Sequence, residues 1–258
     1  MKKFFLNGLI VACLVSMTSC FGDEGRTSRI TSCGYLEYSP KANGLLIHYD
    51  PLLQNPPLYV LGISNDVNLM SGETIFFDCI VDLESAENTN WKDKGYMTAT
   101  GGAYELTPQT GLRHSIYPEI NSVAPDEQTI ADVLVASYLG RHLFLAMAIH
   151  NLKTSQKNDY YLSWDSELEP EVSATGNRTY SLYLRVTKRE EGVAPLVNNH
   201  LHAFDIGYFY TIASEKEKSA GKDAVSFNIH YPKEFSEDLS TVRTWNETGI
   251  VNLAIPKD

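Results

Sequence analysis

Residues 75–83 alternate strictly. Ile75, Phe77, Cys79, Val81 and Leu83 fall on one side of an extended segment, and Phe76, Asp78, Ile80 and Asp82 fall on the other. A period of two marks a strand with one buried face, because successive side chains on extended backbone point in opposite directions. Shorter pieces of the same kind flank it: Gly44–Asp50 and Leu58–Leu61 upstream, Tyr96–Thr100 and Tyr104–Leu106 downstream. Prolines, glycines and the polar stretch Ser85–Lys94, read as a loop, divide them, and Gly101-Gly102-Ala103 is read as a turn. About five strands with no convincing amphipathic helix predict a small closed or partly closed barrel over residues 30–118.

Residues 113–129 hold Pro118, Asn121, Ser122 and Pro125 and are read as a connection. Beyond it come further strand patterns, at Val133–Val135 and at Leu143–Ile149, the latter apolar on both faces as a central strand would be. Leu182, Leu184 and Val186 alternate with Tyr183, Arg185 and Thr187; Val225, Phe227, Ile229 and Tyr231 alternate with Ser226, Asn228 and His230. With Tyr160–Trp164, Phe204–Tyr210 and Ile250–Ile255 these predict a two-sheet sandwich over 119–258, with Ser214–Lys222 as an outlying loop. A weak helical pattern at Asp126–Val133 is read as the approach to a strand. The fold class expected is therefore all-β, a barrel followed by a sandwich, and a hydrophobic content of 43% suffices for real cores.

The chain opens with Lys2-Lys3, an apolar run from Phe4 to Val15, and Met17-Thr18-Ser19-Cys20. The run is too short to span a bilayer and is followed by small residues, which is the grammar of a cleaved export signal over 1–19. The small residues before Cys20 resemble the lipobox of bacterial lipoproteins, with Met17 in place of the usual leucine, which implies acylation of Cys20. Residues 20–29 then read as a polar tether. Losing Lys2 and Lys3 leaves 19 of the 21 basic residues against 32 acidic ones, a formal charge of −13. Nucleic acid, which needs clustered Lys and Arg, is not an expected partner, and attachment to membrane is expected through the lipid alone.

Catalytic signatures are scarce. No G-x-S-x-G elbow or phosphate-binding glycine loop is present. Asp165, Glu167 and Glu169 beside Trp164 read as a solvated loop. His200 and His202 fall on one side of an extended segment and are weak metal candidates, with His230 or Asp205 as a conceivable third ligand. No metal or other cofactor is expected. Cys33 and Cys79 remain after maturation, and both a disulfide and two buried thiols stay open. Trp91, Trp164 and Trp245 lie in or beside polar stretches, as platforms for a ligand or as lids on a β core.

The order of features resembles the NigD-like lipoproteins of Bacteroidetes: the lipobox at Cys20, Gly72–Phe77 followed by a polar loop and Gly95-Tyr96, Asp132–Val135 leading through Gly140–His142 into Leu143–Leu145, and Ala203–Ile206. The resemblance implies an N-terminal OB-type barrel followed by a β-sandwich, an outer-membrane anchor facing periplasm or surface, and a bacteriocin association carried by the family name. It supplies no catalytic residue, only lipid attachment at Cys20. The expected role is a non-enzymatic binding or accessory module with a protein or glycan ligand. The alternatives are a fimbria-like subunit, with Ile250–Ile255 as an exchangeable strand, and a glycan-utilisation accessory with Trp91 or Trp164 as platform. Expressed in its host, the mature protein should carry an acylated Cys20 by mass spectrometry and partition into membranes, whereas Cys20→Ala should remain with the uncleaved leader or in the soluble fraction.

Overall fold

A computed structural model of the chain describes residues 18–19, 27–50, 54–165, 167, 169–196 and 200–256. Residues 1–17, Cys20 and residues 21–26 of the tether lie outside the described residues, so lipidation rests on sequence alone. Among the described residues no helix is long and apolar enough to cross a membrane. The chain divides into two compact units: the part up to Gln109 together with Ala136–Phe144, and Thr110–Val135 together with the part from Leu145 onward.

The first unit contains β1 (Thr18–Ser19), β2 (Thr27–Ser39), β3 (Gly44–His48), β4 (Leu58–Val60), β5 (Thr74–Asp82), the short helices α1 (Ala86–Thr89) and α2 (Trp91–Lys94), and β6 (Met97–Leu106). The strands follow one another in the order β2-β3-β4-β6-β5, and β5 returns to pair with β2, closing the barrel. Five strands linked in this way are the arrangement of an OB barrel. Closure depends on the length of β2, whose Thr27–Tyr35 pairs antiparallel with Asp82–Thr74 while Tyr35–Ser39 pairs with His48–Gly44. Gly34 stands where β2 changes partners, and a Cβ there would lie 2.6 Å from Ile47 Cγ2 and 3.2 Å from the His48 carbonyl oxygen. The alternation of β5 appears in the packing: Ile75, Phe77, Cys79 and Val81 join Ile30, Leu36, Ile47, Leu58, Val60 and Ala99 in the core. Leu83 lies past the end of β5 and is exposed.

Two local readings change. The stretch 85–94 is not a plain loop but carries α1 and α2. The buried Asn88 secures it, its amide donating to the carbonyls of Asp82 and Thr98 and its oxygen accepting the Thr98 N–H. Gly101 and Gly102 do not end a strand; they lie within β6 at φ of 78° and 116°, where the register with β5 shifts between Asp78 and Ile80. Glycine is what lets a strand bulge through left-handed backbone without breaking. The cysteine alternatives also resolve. Cys33 faces Phe76 and Cys79 faces Ile30 across the β2–β5 ladder, a separation of about 10 Å along the strands that no disulfide spans. Both thiols are buried, and burial, reinforced by the nearby Asp78 charge, pushes the Cys79 thiol up to about 12.

The remaining strands are β7 (Gln109–Gly111), β8 (Glu127–Gln128), β9 (Ile130–Leu139), β10 (His142–Ile149), β11 (Lys157–Ser163), β12 (Glu171–Val172), β13 (Arg178–Glu190), β14 (His200–Asp205), β15 (Ala224–Phe235), β16 (Val242–Glu247) and β17 (Val251–Ala254), with one helix, α3 (Gly207–Ser219). They form a four-stranded sheet, β7-β14-β10-β9, and a larger one, β11-β13-β15-β16, to which β8 and β12 add along β13 and β17 along β15. The helical pattern at 126–133 is thus β8 and the start of β9. β13 and β15 run parallel, a pairing that requires a crossover rather than a hairpin, and α3 lies in that connection.

The expected strand Phe204–Tyr210 and loop Ser214–Lys222 are therefore corrected: β14 stops at Asp205, whose carboxylate accepts the Gly207 N–H, and α3 begins. Tyr208, Phe209, Tyr210 and Thr211 have strand-like composition. The residues α3 buries toward the sheet include Phe209, Ala213 and Glu217, spaced by four, and the third is a carboxylate that hides the apolar period. Its side chain is 2% exposed and accepts Arg178 Nε–H at 2.9 Å and Tyr180 O–H at 2.8 Å. Phe209 meets Trp164, Tyr180 and Phe227 edge to face at 5.0, 5.7 and 5.6 Å.

Where the two sheets meet, Tyr160 of β11 stacks on His200 of β14 at 4.9 Å and leans on His202 at 4.4 Å. His202 Nε2 lies 2.9 Å from Thr110 Oγ1. Among the described residues no third ligand joins His200 and His202. Asp205 is turned to the α3 backbone, His230 stacks on Tyr183 at 5.1 Å, and among the described residues no three ligating side chains converge. Burial, with a smaller push from His200, drives the His202 imidazole down to about 3.

Two outcomes follow from this packing. Gly34→Ala should lower stability by about 1–3 kcal/mol through overpacking, read as a fall in the urea midpoint at unchanged slope. His202 is held neutral in the fold but protonates near 6.5 when unfolded, so its contribution is complete above that pH and is lost as pH falls toward 3. Between neutrality and about pH 5 the wild-type midpoint should drop more steeply than that of His202→Gln; equal slopes would show that His202 is not the titrating core group.

Candidate functional site

Arg185 sits in mid-strand on β13, between Leu184 and Val186, which face the core. Alternation turns Arg185 to the other face of the sheet, yet its side chain is fully buried there. What covers it is the segment 119–128, which the guanidinium gathers. Nη1 donates to the Ser122 carbonyl at 2.9 Å and to both Glu127 oxygens at 2.7 and 3.0 Å, while Nη2 donates to the Ile120 carbonyl at 2.7 Å. The Glu127 side chain is also fully buried and additionally accepts the Ala124 N–H at 2.8 Å. Trp245 closes the other side, its ring 4.7 Å from the guanidinium. Further bonds run from the Val123 N–H to the Ser240 carbonyl, from the Val242 N–H to the Asn121 carbonyl, and from the Lys188 N–H to the Asp126 carbonyl. The strap is thereby fixed along its length.

One edge of this strap forms the wall of a cleft of about 760 Å³, built wholly from the second unit. The residues facing the strap come from the turn after β10, from the end of β13, and from Phe235 and Leu239. Its polar groups are wired to one another. The Gln156 amide donates to Gln128 Oε1 and to Asn158 Oδ1, both at 2.8 Å, and Thr129 Oγ1 lies 2.9 Å from His150 Nδ1. Lys153 and Lys188 both donate to Glu191, at 2.6 and 2.7 Å, and hold its carboxyl down at about 2. Val123, Pro125, Phe235 and Leu239 supply an apolar side. Asp126, Asn151 and Leu239 have left-handed backbone, at φ of 56°, 56° and 55°. Asp and Asn tolerate that conformation, whereas for Leu it is uncommon and is kept by surrounding structure.

The tryptophans fall elsewhere. Trp164 is 1% exposed and packs edge to face on Phe209, so it is a core residue and not a platform. Trp245 is half-buried over Arg185, and Trp91 opens α2 in the first unit, half-buried, with Lys92 Nζ 5.9 Å from its ring. None of the three lines the cleft. Asp165 accepts the Glu167 N–H, and Glu169 pairs with Lys216 and Arg178, so these carboxylates do not face one another across a site. Arg185 and Glu127 carried no functional reading in the sequence; a cation in the middle of an otherwise packed strand was the available signal.

Residues 26–105 match the family described as Lipoprotein OB domain. The chain is similar to an uncharacterised protein of Parabacteroides merdae ATCC 43184, with 30% identity and a TM-score of 0.76 over 88% of this chain and 100% of that one. Likeness of fold alone extends to a protein of unknown function from Bacteroides vulgatus ATCC 8482, at 16% identity and TM-score 0.51 over 89% of this chain and 92% of that one. It extends also to a proposed lipoprotein of Bacteroides fragilis NCTC 9343, at 11% identity and TM-score 0.51 over 89% of this chain and 99% of that one. No curated protein matches the sequence. The NigD-like designation gains no support from these relatives. The chain belongs to one family with the Parabacteroides merdae protein, and its first unit carries a lipoprotein OB domain.

Proposed function

We propose that the protein is a lipid-anchored binding module of the cell envelope, non-enzymatic, with the cleft of the second unit as its ligand site. The observation that carries this reading is the pairing of the cleft's ionisable groups other than Asp126. Glu191 is committed to Lys153 and Lys188, Glu127 to Arg185, and His150 Nδ1 to Thr129. A general acid, base or nucleophile has to be available to the reacting atoms; groups tied to one another in this way give a surface its shape and polarity instead. The lipoprotein OB domain and the leader ending at Cys20 support the membrane address, which we assign to the outer membrane, on its periplasmic or surface face. A bacteriocin-associated setting rests on the NigD-like resemblance alone.

The fimbria-like alternative gains nothing from the C-terminal strand, because Val251–Ala254 is already laid antiparallel against Phe227–Ala224 of the same chain. The binding reading is tested in cells by placing a photo-crosslinking amino acid at Leu239, on the cleft, or at Val67, which is 93% exposed in the first unit. A discrete adduct in the membrane fraction specific to position 239 is expected. Identical patterns at the two positions, or no adduct, would remove the cleft as the ligand site.

A further inference from the structure

The cleft's chemistry narrows what it takes. Lys153 and Lys188 share the single carboxylate of Glu191, Asp126 adds its charge near Lys188, and the buried carboxylate of Glu127 is met by Arg185. With Asp126, Glu127 and Glu191 against Lys153 and Lys188, the described lining has no excess of positive charge to reward an anionic ligand, and the mature chain's formal charge, 19 basic against 32 acidic residues, opposes polyanions at a distance. An extended peptide needs an open strand edge to add to. The strand residues of the wall are laddered already: Glu127 and Gln128 face Thr187 and Val186, Lys188 faces Asn158 and also donates its N–H to Asp126, and Phe235 faces Val242.

What remains on the lining is the amides and hydroxyl of Gln128, Thr129, Asn151 and Gln156 and the His150 imidazole, together with the apolar Phe235 and Leu239. Amides and hydroxyls each offer both donor and acceptor capacity. A hydroxyl group does the same, so neighbouring hydroxyls on a ring find partners of either sense along such a wall. The C–H face of a sugar ring is apolar and rests on aromatic or aliphatic side chains. A cleft of about 760 Å³ is on the scale of small-molecule sites and exceeds what one ring fills. The left-handed backbone at Asp126, Asn151 and Leu239 and the Arg185-held strap keep the walls in place before a ligand arrives.

We propose that the ligand of this cleft is a neutral oligosaccharide, read by the Gln128–Gln156 amides and stacked against Phe235 and Leu239. The inference rests on the binding role proposed above. It is tested with the full-length lipoprotein in detergent micelles, offered neutral oligosaccharides of glucose, mannose, xylose and galactose, the corresponding uronate and sulfated oligomers, and unmodified peptides, with hits measured by calorimetry. Neutral oligosaccharides should bind. Gln156→Ala and Leu239→Asp should each weaken them by about tenfold or more, with the melting temperature of both variants close to wild type. Binding confined to acidic oligomers or to peptides, neutral binding unchanged in both variants, or no saccharide bound by the wild type would overturn the proposal. A position-239 adduct that persists beside a blank saccharide panel refutes the ligand class and leaves the binding role standing; loss of both refutes both.

Discussion

The second unit is organised around a guanidinium that water does not reach. Arg185 and Glu127 are both fully buried. Taking two such charges out of water costs several kcal/mol each and is repaid only when geometry and the remaining hydrogen bonds are good. Here the repayment is distributed: the carboxylate takes one nitrogen, and carbonyls of Ile120 and Ser122 take donors that the carboxylate does not. A hydrophobic pair of similar volume would fill the space without directing those carbonyls. Removing one partner alone leaves an uncompensated charge, at a cost of about 3–5 kcal/mol. The ion pair is thus better understood as fixing the path of residues 119–128 than as a source of net stability, and the cleft inherits its wall from that path.

The first unit is specified differently, through backbone. Its closure needs one strand long enough to serve two partners, a glycine where that strand changes between them, and a bulge at Gly101-Gly102 that lets β6 follow the curve. Closure leaves few of the unpaired strand edges that invite association. Side chains there fasten backbone already paired: Asn88 ties the α1–α2 stretch to the ends of β5 and β6, and Arg29 and Thr31 of β2 both donate to Asp78 of the neighbouring β5.

Most of the fold was legible because its cause is local. β5, β13 and β15 bury alternate residues, and alternation is visible in sequence. The failures have a common origin in contacts between distant residues. α3 was hidden because Glu217 occupies a core-facing position that only Arg178 and Tyr180, 39 and 37 residues away, make habitable. Trp164 stayed open between platform and core lid because its neighbours Ser163 and Asp165 are polar, while its ring meets Phe209 from another element. The cleft was invisible for the same reason: Gln128 with Gln156, Lys153 with Glu191 and Glu127 with Arg185 are pairs that no short motif contains.

Pairing within the cleft also bears on how strongly it can bind. A wall whose amides and charges already satisfy one another loses little entropy when a ligand settles, but each ligand hydroxyl must exchange with an existing hydrogen bond or bound water, so the net gain per contact is small. Modest affinity per site is the consequence. For a freely diffusing receptor that would be a weakness. Under the proposed lipid anchor and saccharide ligand, a repeating polymer engages several tethered copies at once, so effective concentration makes up what each site lacks. The proposed anchor at Cys20 and the proposed saccharide site in the cleft are in this sense complementary.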